Sequence, residues 1–153
     1  MDAQPLSERY WYLDGTSARR IDVDFEAFWR QLLSGEHRDE IVREVADGDG
    51  WLVSVYEMTS DTDHEEMHPN GDELHFLVSG RLDLVLDAPD RSGTTPTVIP
   101  MRPGTSALVP RRVWHRFVVH EPASALAITA GRGTEHRPAV PAPTPSPESE
   151  RSR

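Results

Sequence analysis

The densest chemistry in this chain lies in one short stretch, His64-Glu65-Glu66-Met67-His68-Pro69-Asn70-Gly71-Asp72-Glu73-Leu74-His75. Imidazoles and carboxylates gathered in this way suit a divalent ion such as Fe(II), Zn, Mn or Ni. Composition removes the competing chemistries. The chain has no cysteine, and its 16 Lys+Arg residues are all arginine. Without thiols there are no disulfides, zinc fingers, iron–sulfur clusters or thiolate nucleophiles. Without lysine there is neither a Schiff-base amine nor the lysine of a phosphate-binding loop. A metal here must be held by His, Asp or Glu, which makes the seven histidines the informative residues.

Strand geometry decides which of these side chains meet. Alternation with period two puts His64, Glu66 and His68 on one face of a regular strand. The run Pro69-Asn70-Gly71-Asp72 reads as a hairpin loop. Such a loop sets His68 opposite Glu73, on a shared face and about 5 Å apart, and His75 continues that face. A turn at Gly80-Arg81 pairs Ser79 with Leu82 and brings Leu82, Leu84 and Leu86 to the same side. The face is then apolar and inward, with carboxylates and imidazoles at one end. Burying those groups is costly unless they are paired or bound to a metal. A metal is the leading expectation; a His/Glu hydrogen-bond network is the alternative.

The surrounding pattern is a β scaffold. From Trp51 onward, short β-type runs alternate with turns: Trp51–Met58, a run ending at Glu65–His68, Glu73–Ser79, Leu82–Asp87, Thr97–Met101, Thr105–Val109, Trp114–His120 and Ala125–Thr129. This predicts an all-β domain, a small antiparallel sandwich or barrel. In the N-terminal segment 1–50, Phe25, Phe28, Trp29, Leu32 and Leu33 form one helical stripe. Asp24 serves as its N-cap and Gly35 as its stop, so a packing helix is expected over residues 24–34. Residues 132–153 read as a tail. From Pro138 to Arg153 the composition collapses to Pro, Ala, Ser, Glu and Arg with a few other residues, which predicts disorder from about residue 138.

Charge narrows the partners. A net charge of −10, from 26 acidic residues, argues against nucleic acid, which needs a dense basic face. No apolar run approaches the roughly 18 residues of a membrane span. The N-terminal residues lack the apolar region of a signal peptide, so a cytoplasmic location is expected.

The stretch from Glu66 to Gly80, Glu-Met-His-Pro-Asn-Gly-Asp-Glu-Leu-His-Phe-Leu-Val-Ser-Gly, resembles the first motif of the cupin superfamily: His-x-His, three or four residues, Glu, six residues, Gly. His68, Glu73 and Gly80 stand in its places. Gly104, Pro110 and His115 occupy positions of the second motif, Gly, five residues, Pro, one residue, Gly, two residues, His. The resemblance covers residues 51–131 and implies a small double-stranded β-barrel of the cupin or jelly-roll type. It also implies metal ligation by His68, Glu73 and His115, a two-His, one-carboxylate set suited to non-haem Fe(II) and also to Zn or Mn.

Two positions depart from the family pattern: Glu66 replaces the first His, and Arg112 replaces the second-motif Gly. Glu66 is either a fourth ligand or a general base for a metal-bound water. His64 and His75 are expected to be satisfied core or rim histidines, with substrate contact as the alternative. Arg112 is read as a solvated turn residue or a clamp for an anionic substrate. The resemblance implies a small metalloenzyme acting on a small organic molecule, carboxylated if Arg112 is such a clamp, with dioxygenase-type oxidoreductase chemistry foremost. The alternatives are a metal-dependent isomerase, cyclase or decarboxylase, and a non-catalytic binding protein. A homodimer is also implied, with Tyr10-Trp11-Tyr12-Leu13 as a candidate contact or simply as packing on its own barrel.

Overall fold

The computed structural model describes residues 3, 5–8, 10–87 and 95–139; the expected disordered tail lies almost entirely outside them. The chain opens with a small hairpin, β1 (Trp11–Asp14) and β2 (Ser17–Arg20), followed by helices α1 (Phe25–Ser34) and α2 (Glu40–Asp47). Seven further strands follow: β3 (Trp51–Met58), β4 (His64–Met67), β5 (Glu73–Asp87), β6 (Thr97–Met101), β7 (Ser106–Val109), β8 (Trp114–Thr129) and β9 (Glu135–Pro138).

Helix α1 matches its sequence signals. Asp24 accepts a hydrogen bond from the Ala27 amide at 3.1 Å, and Gly35 ends the helix in the left-handed conformation. Helix α2 was not expected. Its apolar positions are few, and tertiary contacts complete it: Val42 and Val45 are buried against Phe28, Tyr10, Tyr12, Ile21 and Leu52. Gln31, buried at the end of α1, accepts from the Arg38 and Asp39 amides and donates to the Asp39 carboxylate, which fixes the start of α2. The Tyr12 hydroxyl donates to the Glu44 carbonyl and accepts from the Gly50 amide. Tyr10 and Tyr12 therefore pack within their own chain.

The strands run in the order β2-β1-β3-β8-β4-β9, and β5 branches from this path to pair with β6, β7 and β8. This is a mostly β fold carrying two short helices near its N-terminus. The expected closed barrel is not seen as a hydrogen-bonded ring: no ladder among the described residues joins the two ends of the sheet.

Two expected hairpins prove to be something else. Pro69–Asp72 does not join neighbouring strands, because β4 pairs with β8 and β9 whereas Glu73 pairs with Val109 and Thr129. Gly80 does not turn the chain either. It lies within β5, where the register against β8 shifts repeatedly between Leu77 and Leu82. Gly80 has φ +81°, and a Cβ there would lie 2.1 Å from the Pro122 carbonyl oxygen. Two long strands thus bend together, and Leu77, Leu82, Leu84, Phe117 and Ala125 of their inner face pack with Val109 of β7. Residues 135–138, assigned to a tail from their sequence, form β9 on the edge of β4.

Candidate metal centre

Four residues from three places in the chain converge at one end of this core. Glu73 and His75 share the inner face of β5, His115 is the second residue of β8, and His68 follows β4. Their exposures are 1, 1, 2 and 3 %, too low for water to satisfy them. The Nε2 atoms of His68, His75 and His115 lie 3.1, 2.9 and 3.0 Å from a single atom, Glu73 Oε2. Glu73 Oε1 accepts from the Thr129 hydroxyl at 2.5 Å.

The hydrogen-bond network sets the state of His68. The Thr134 hydroxyl donates its one hydrogen to the Gly131 carbonyl at 2.7 Å, so it accepts from His68 Nδ1, 2.8 Å away. A neutral His68 then presents the Nε2 lone pair to a carboxylate oxygen. Only an added proton or a cation makes that approach favourable. In addition, one carboxylate oxygen has about two lone-pair sites and cannot accept well from three imidazoles. Two ligands at right angles on an ion with ~2.1 Å bonds are about 3.0 Å apart, which is the spacing of these nitrogens from Oε2. The donor set therefore fits a divalent ion. His75 Nδ1 is buried without a hydrogen-bond partner among the described residues.

Glu66 borders the cluster. Its carboxylate forms a compact triad with His68 and His115, and Glu73, His75 and His115 form another. On its other side Glu66 Oε1 meets His136 Nε2 at 3.1 Å and His64 Nε2 at 3.4 Å. Burial pushes the Glu66 carboxyl up, but hydrogen bonds to His136 and His64 hold it below the ordinary carboxylate range. His64 is in turn raised to about 9, chiefly by its bond to Glu66. Burial likewise pushes Glu73 up, yet the charge of His75 and the bonds to His115, His68 and His75 hold it well below that range. Burial opposes the His115 imidazolium, but the bond to Glu73 and the Glu73 and Glu66 charges raise it above 6.5.

A cavity of about 560 Å³ separates the cluster from the helices; Trp29, Leu32, Tyr56, Glu66, His68 and Arg132 are among its lining residues. A second, of about 150 Å³, reaches His75, His115 and Phe117. Tyr56 and Glu66 line both. The Tyr56 hydroxyl is held well above its ordinary value of 10.0 by burial, reinforced by the Glu66 and Glu73 charges.

Of the residues singled out from sequence, Glu66, His68, Glu73, His75 and His115 are brought together, and His64 stands beside Glu66. Arg112 is not: its side chain is exposed and lines neither cavity. Its backbone is what matters. Arg112 has φ 65°, the conformation a glycine adopts freely, and its amide donates to the His68 carbonyl at 2.9 Å. Sequence reasoning missed Tyr56, Thr129, Arg132, Thr134 and His136. His136 and the two threonines carried no local signal, since the run Glu135-His136-Arg137 is polar throughout.

Residues 51–131 match the cupin domain family, and the chain belongs to that family. Among solved structures it is similar to a cupin-2 domain protein from Shewanella frigidimarina NCIMB 400, with 18 % identity over 54 % of this chain and 71 % of that one, at a TM-score of 0.43. A cupin superfamily protein from Desulfitobacterium hafniense DCB-2 gives 21 % identity, 55 % and 70 % coverage and a TM-score of 0.43. Hydroxypropylphosphonic acid epoxidase from S. wedmorenis gives 20 % identity over 52 % of this chain at 0.43; the match spans 42 % of that enzyme's length. No curated protein matches the chain. No helix among the described residues is long and apolar enough to cross a membrane.

Proposed function

We propose that this cupin binds a divalent metal ion and works as a small metalloenzyme on a small organic molecule, with dioxygenase-type chemistry favoured. His68, Glu73 and His115 would hold the ion, and Glu66 would complete the set. His75 would steady the Glu73 carboxylate. The observation that carries this reading is the convergence of three imidazole nitrogens on Glu73 Oε2, one of them oriented by Thr134 to present a lone pair.

A bound ion of this kind supplies a Lewis acid or, as Fe(II), a site for oxygen chemistry. The chain's own residues supply the rest. The larger cavity is within the usual range for small-molecule sites, roughly 300–1,000 Å³. Arg132, the arginine in its lining, pairs with Asp49 at 2.7 Å through one guanidinium nitrogen and has further N–H groups that can take a substrate carboxylate. Trp29 and Leu32 give that cavity an apolar wall. Tyr56 keeps its proton and can donate a hydrogen bond to a bound oxygen. The fourth protein ligand, Glu66, favours a second reading, in which a saturated ion leaves a non-catalytic binding protein. The exposed side chains Phe76, Val78 and Leu108, on neighbouring β5 and β7, are the surface we assign to a homodimer.

Elemental analysis of purified protein beside Glu73→Ala tests the metal: about one equivalent or more is expected in the parent and a large loss in the variant. Oxygen uptake by the Fe(II)-loaded protein across phenolic and keto acids then tests the chemistry. No turnover with any metal, together with a coordinatively saturated ion, would overturn the enzyme reading.

A further inference from the structure

Outside the buried cluster stands a second group of metal-capable side chains, and the sheet builds it deliberately. Strands β4 and β9 pair antiparallel with Glu66 opposite His136, and His64 lies two residues before Glu66 on the same face. The opposite face locks this register. There Glu65, fully buried, forms an ion pair with Arg137, whose guanidinium stacks 4.2 Å over the Trp114 ring. The end of β9 is further tied by the Ala139 amide to the Asp63 carbonyl. As a result His64, Glu66 and His136 offer ligand atoms that all lie within 4.8 Å of one another.

Two details point to an ion rather than to a chance ion pair. His64 Nδ1 is bonded to Asp63 Oδ1 at 2.7 Å, the carboxylate–histidine pairing that orients the other ring nitrogen toward a metal. That nitrogen and His136 Nε2 both aim at one oxygen, Glu66 Oε1. The same carboxylate also forms a triad with His68 and His115 on its inner side.

We propose that His64, Glu66 and His136 form a second divalent-cation site, and that Glu66 bridges it to the buried one. This rests on the metal reading of the inner cluster. The two sites differ in access. The side chains of His64 and His136 are 44 and 36 % exposed, so the outer ion keeps open positions for water and binds more weakly than the inner one. A bridging carboxylate between two such ions is the arrangement of two-metal hydrolytic and transfer sites, in which an ion-bound water lies next to a bound substrate. It also gives a physical role to the glutamate that stands where the family motif has histidine. A neutral imidazole cannot bridge two ions, and a carboxylate can.

The test uses the full chain, stripped with a chelator and titrated with Zn²⁺, with free and bound zinc measured at equilibrium. Two equivalents in two affinity steps are expected for the parent protein. His64→Gln and His136→Gln should each lose the weaker step and keep the tighter one. Retention of the tighter step, with an unchanged circular dichroism spectrum, shows that either variant is folded. A parent protein that saturates at one equivalent, or variants that still bind two, would overturn the outer site and leave the inner one standing. A parent that binds none would overturn both. Exchange-coupled Mn²⁺ resonances in the doubly loaded parent, absent in His136→Gln, report the bridge independently of any activity.

Discussion

Replacing Glu73 by Gln keeps the side chain's shape and removes its charge, which isolates what that charge does in the metal-free protein. Glu73 Oε2 is within 3.1 Å of three imidazole nitrogens, but its lone pairs can serve about two of them. Each hydrogen bond to a charged group contributes about 1.5–3 kcal/mol, against roughly 0.5–1.5 for a neutral one. Exchanging two bonds of the first kind for two of the second costs about 3 kcal/mol. For a chain of this length that is a fall in Tm of roughly 6–12 °C. The loss depends on pH in a definite direction. Glu73 is held below its ordinary 4.5, so its contribution is present above that value and lost in acid. His115 is raised above 6.5, so its contribution is complete below 6.5 and fades as pH rises through the raised value. The deficit of the variant is therefore fully present between pH 4.5 and 6.5 and declines as pH rises through the raised His115 value. Thermal melts of chelator-treated parent and Glu73→Gln at pH 6 and at a series of higher pH values measure it. A shift below about 2 °C at pH 6 would show that no ionised carboxylate–imidazolium cluster exists without metal.

Three further outcomes follow from the geometry. Arg112→Gly should raise stability by about 0.5–1 kcal/mol, the relief of a left-handed non-glycine residue less the greater chain entropy of glycine; urea unfolding reads this directly. Gly80→Ala should cost about 2 kcal/mol or more, because both the positive φ and the Pro122 carbonyl oppose a Cβ, and calorimetry would register it as a lower Tm. Tyr56→Phe should leave bound metal unchanged, weaken substrate handling, and remove a phenolic ionisation raised well above 10.0 from an absorbance titration. Because the folded phenol is raised above 10.0, stability should fall as pH climbs past 10.0, and this loss should be smaller in the variant.

The parts of the molecule most readable in sequence were those written in local pattern. Asp24, the Phe25–Leu33 stripe and Gly35 define α1 almost to the residue, because cap, stripe and stop are all chemical signals within one segment. The alternation that put Glu73 and His75 on one face depends only on strand period; Leu82 and Leu84 join that face because the register shifts around Gly80 change the parity of β5, a change the sequence pattern ascribes to a turn. What failed was pairing. Pro69–Asp72 has the composition of a hairpin, yet β4 leaves for the β8–β9 side, and His68 meets Glu73 across the fold instead of across a ladder. Gly80-Arg81 looks like a turn because glycine at positive φ serves turns and bulges alike. Thr129, Thr134 and His136 owe their places to residues far along the chain, so nothing in their own neighbourhoods could reveal them.

The ladder between β5 and β8 also dictates an order of assembly. Its rungs nearest in sequence join Asp87 to Trp114 and Leu86 to His115, whereas Glu73 and Thr129, 56 residues apart, form its far end. Closing a shorter loop costs less entropy, so zipping from the near end is the cheaper route. Folding would then seat His115 early and bring Glu73 to it only when the last rungs close. A metal ion would find its full ligand set only on the native molecule, and added ion should slow unfolding far more than it hastens folding.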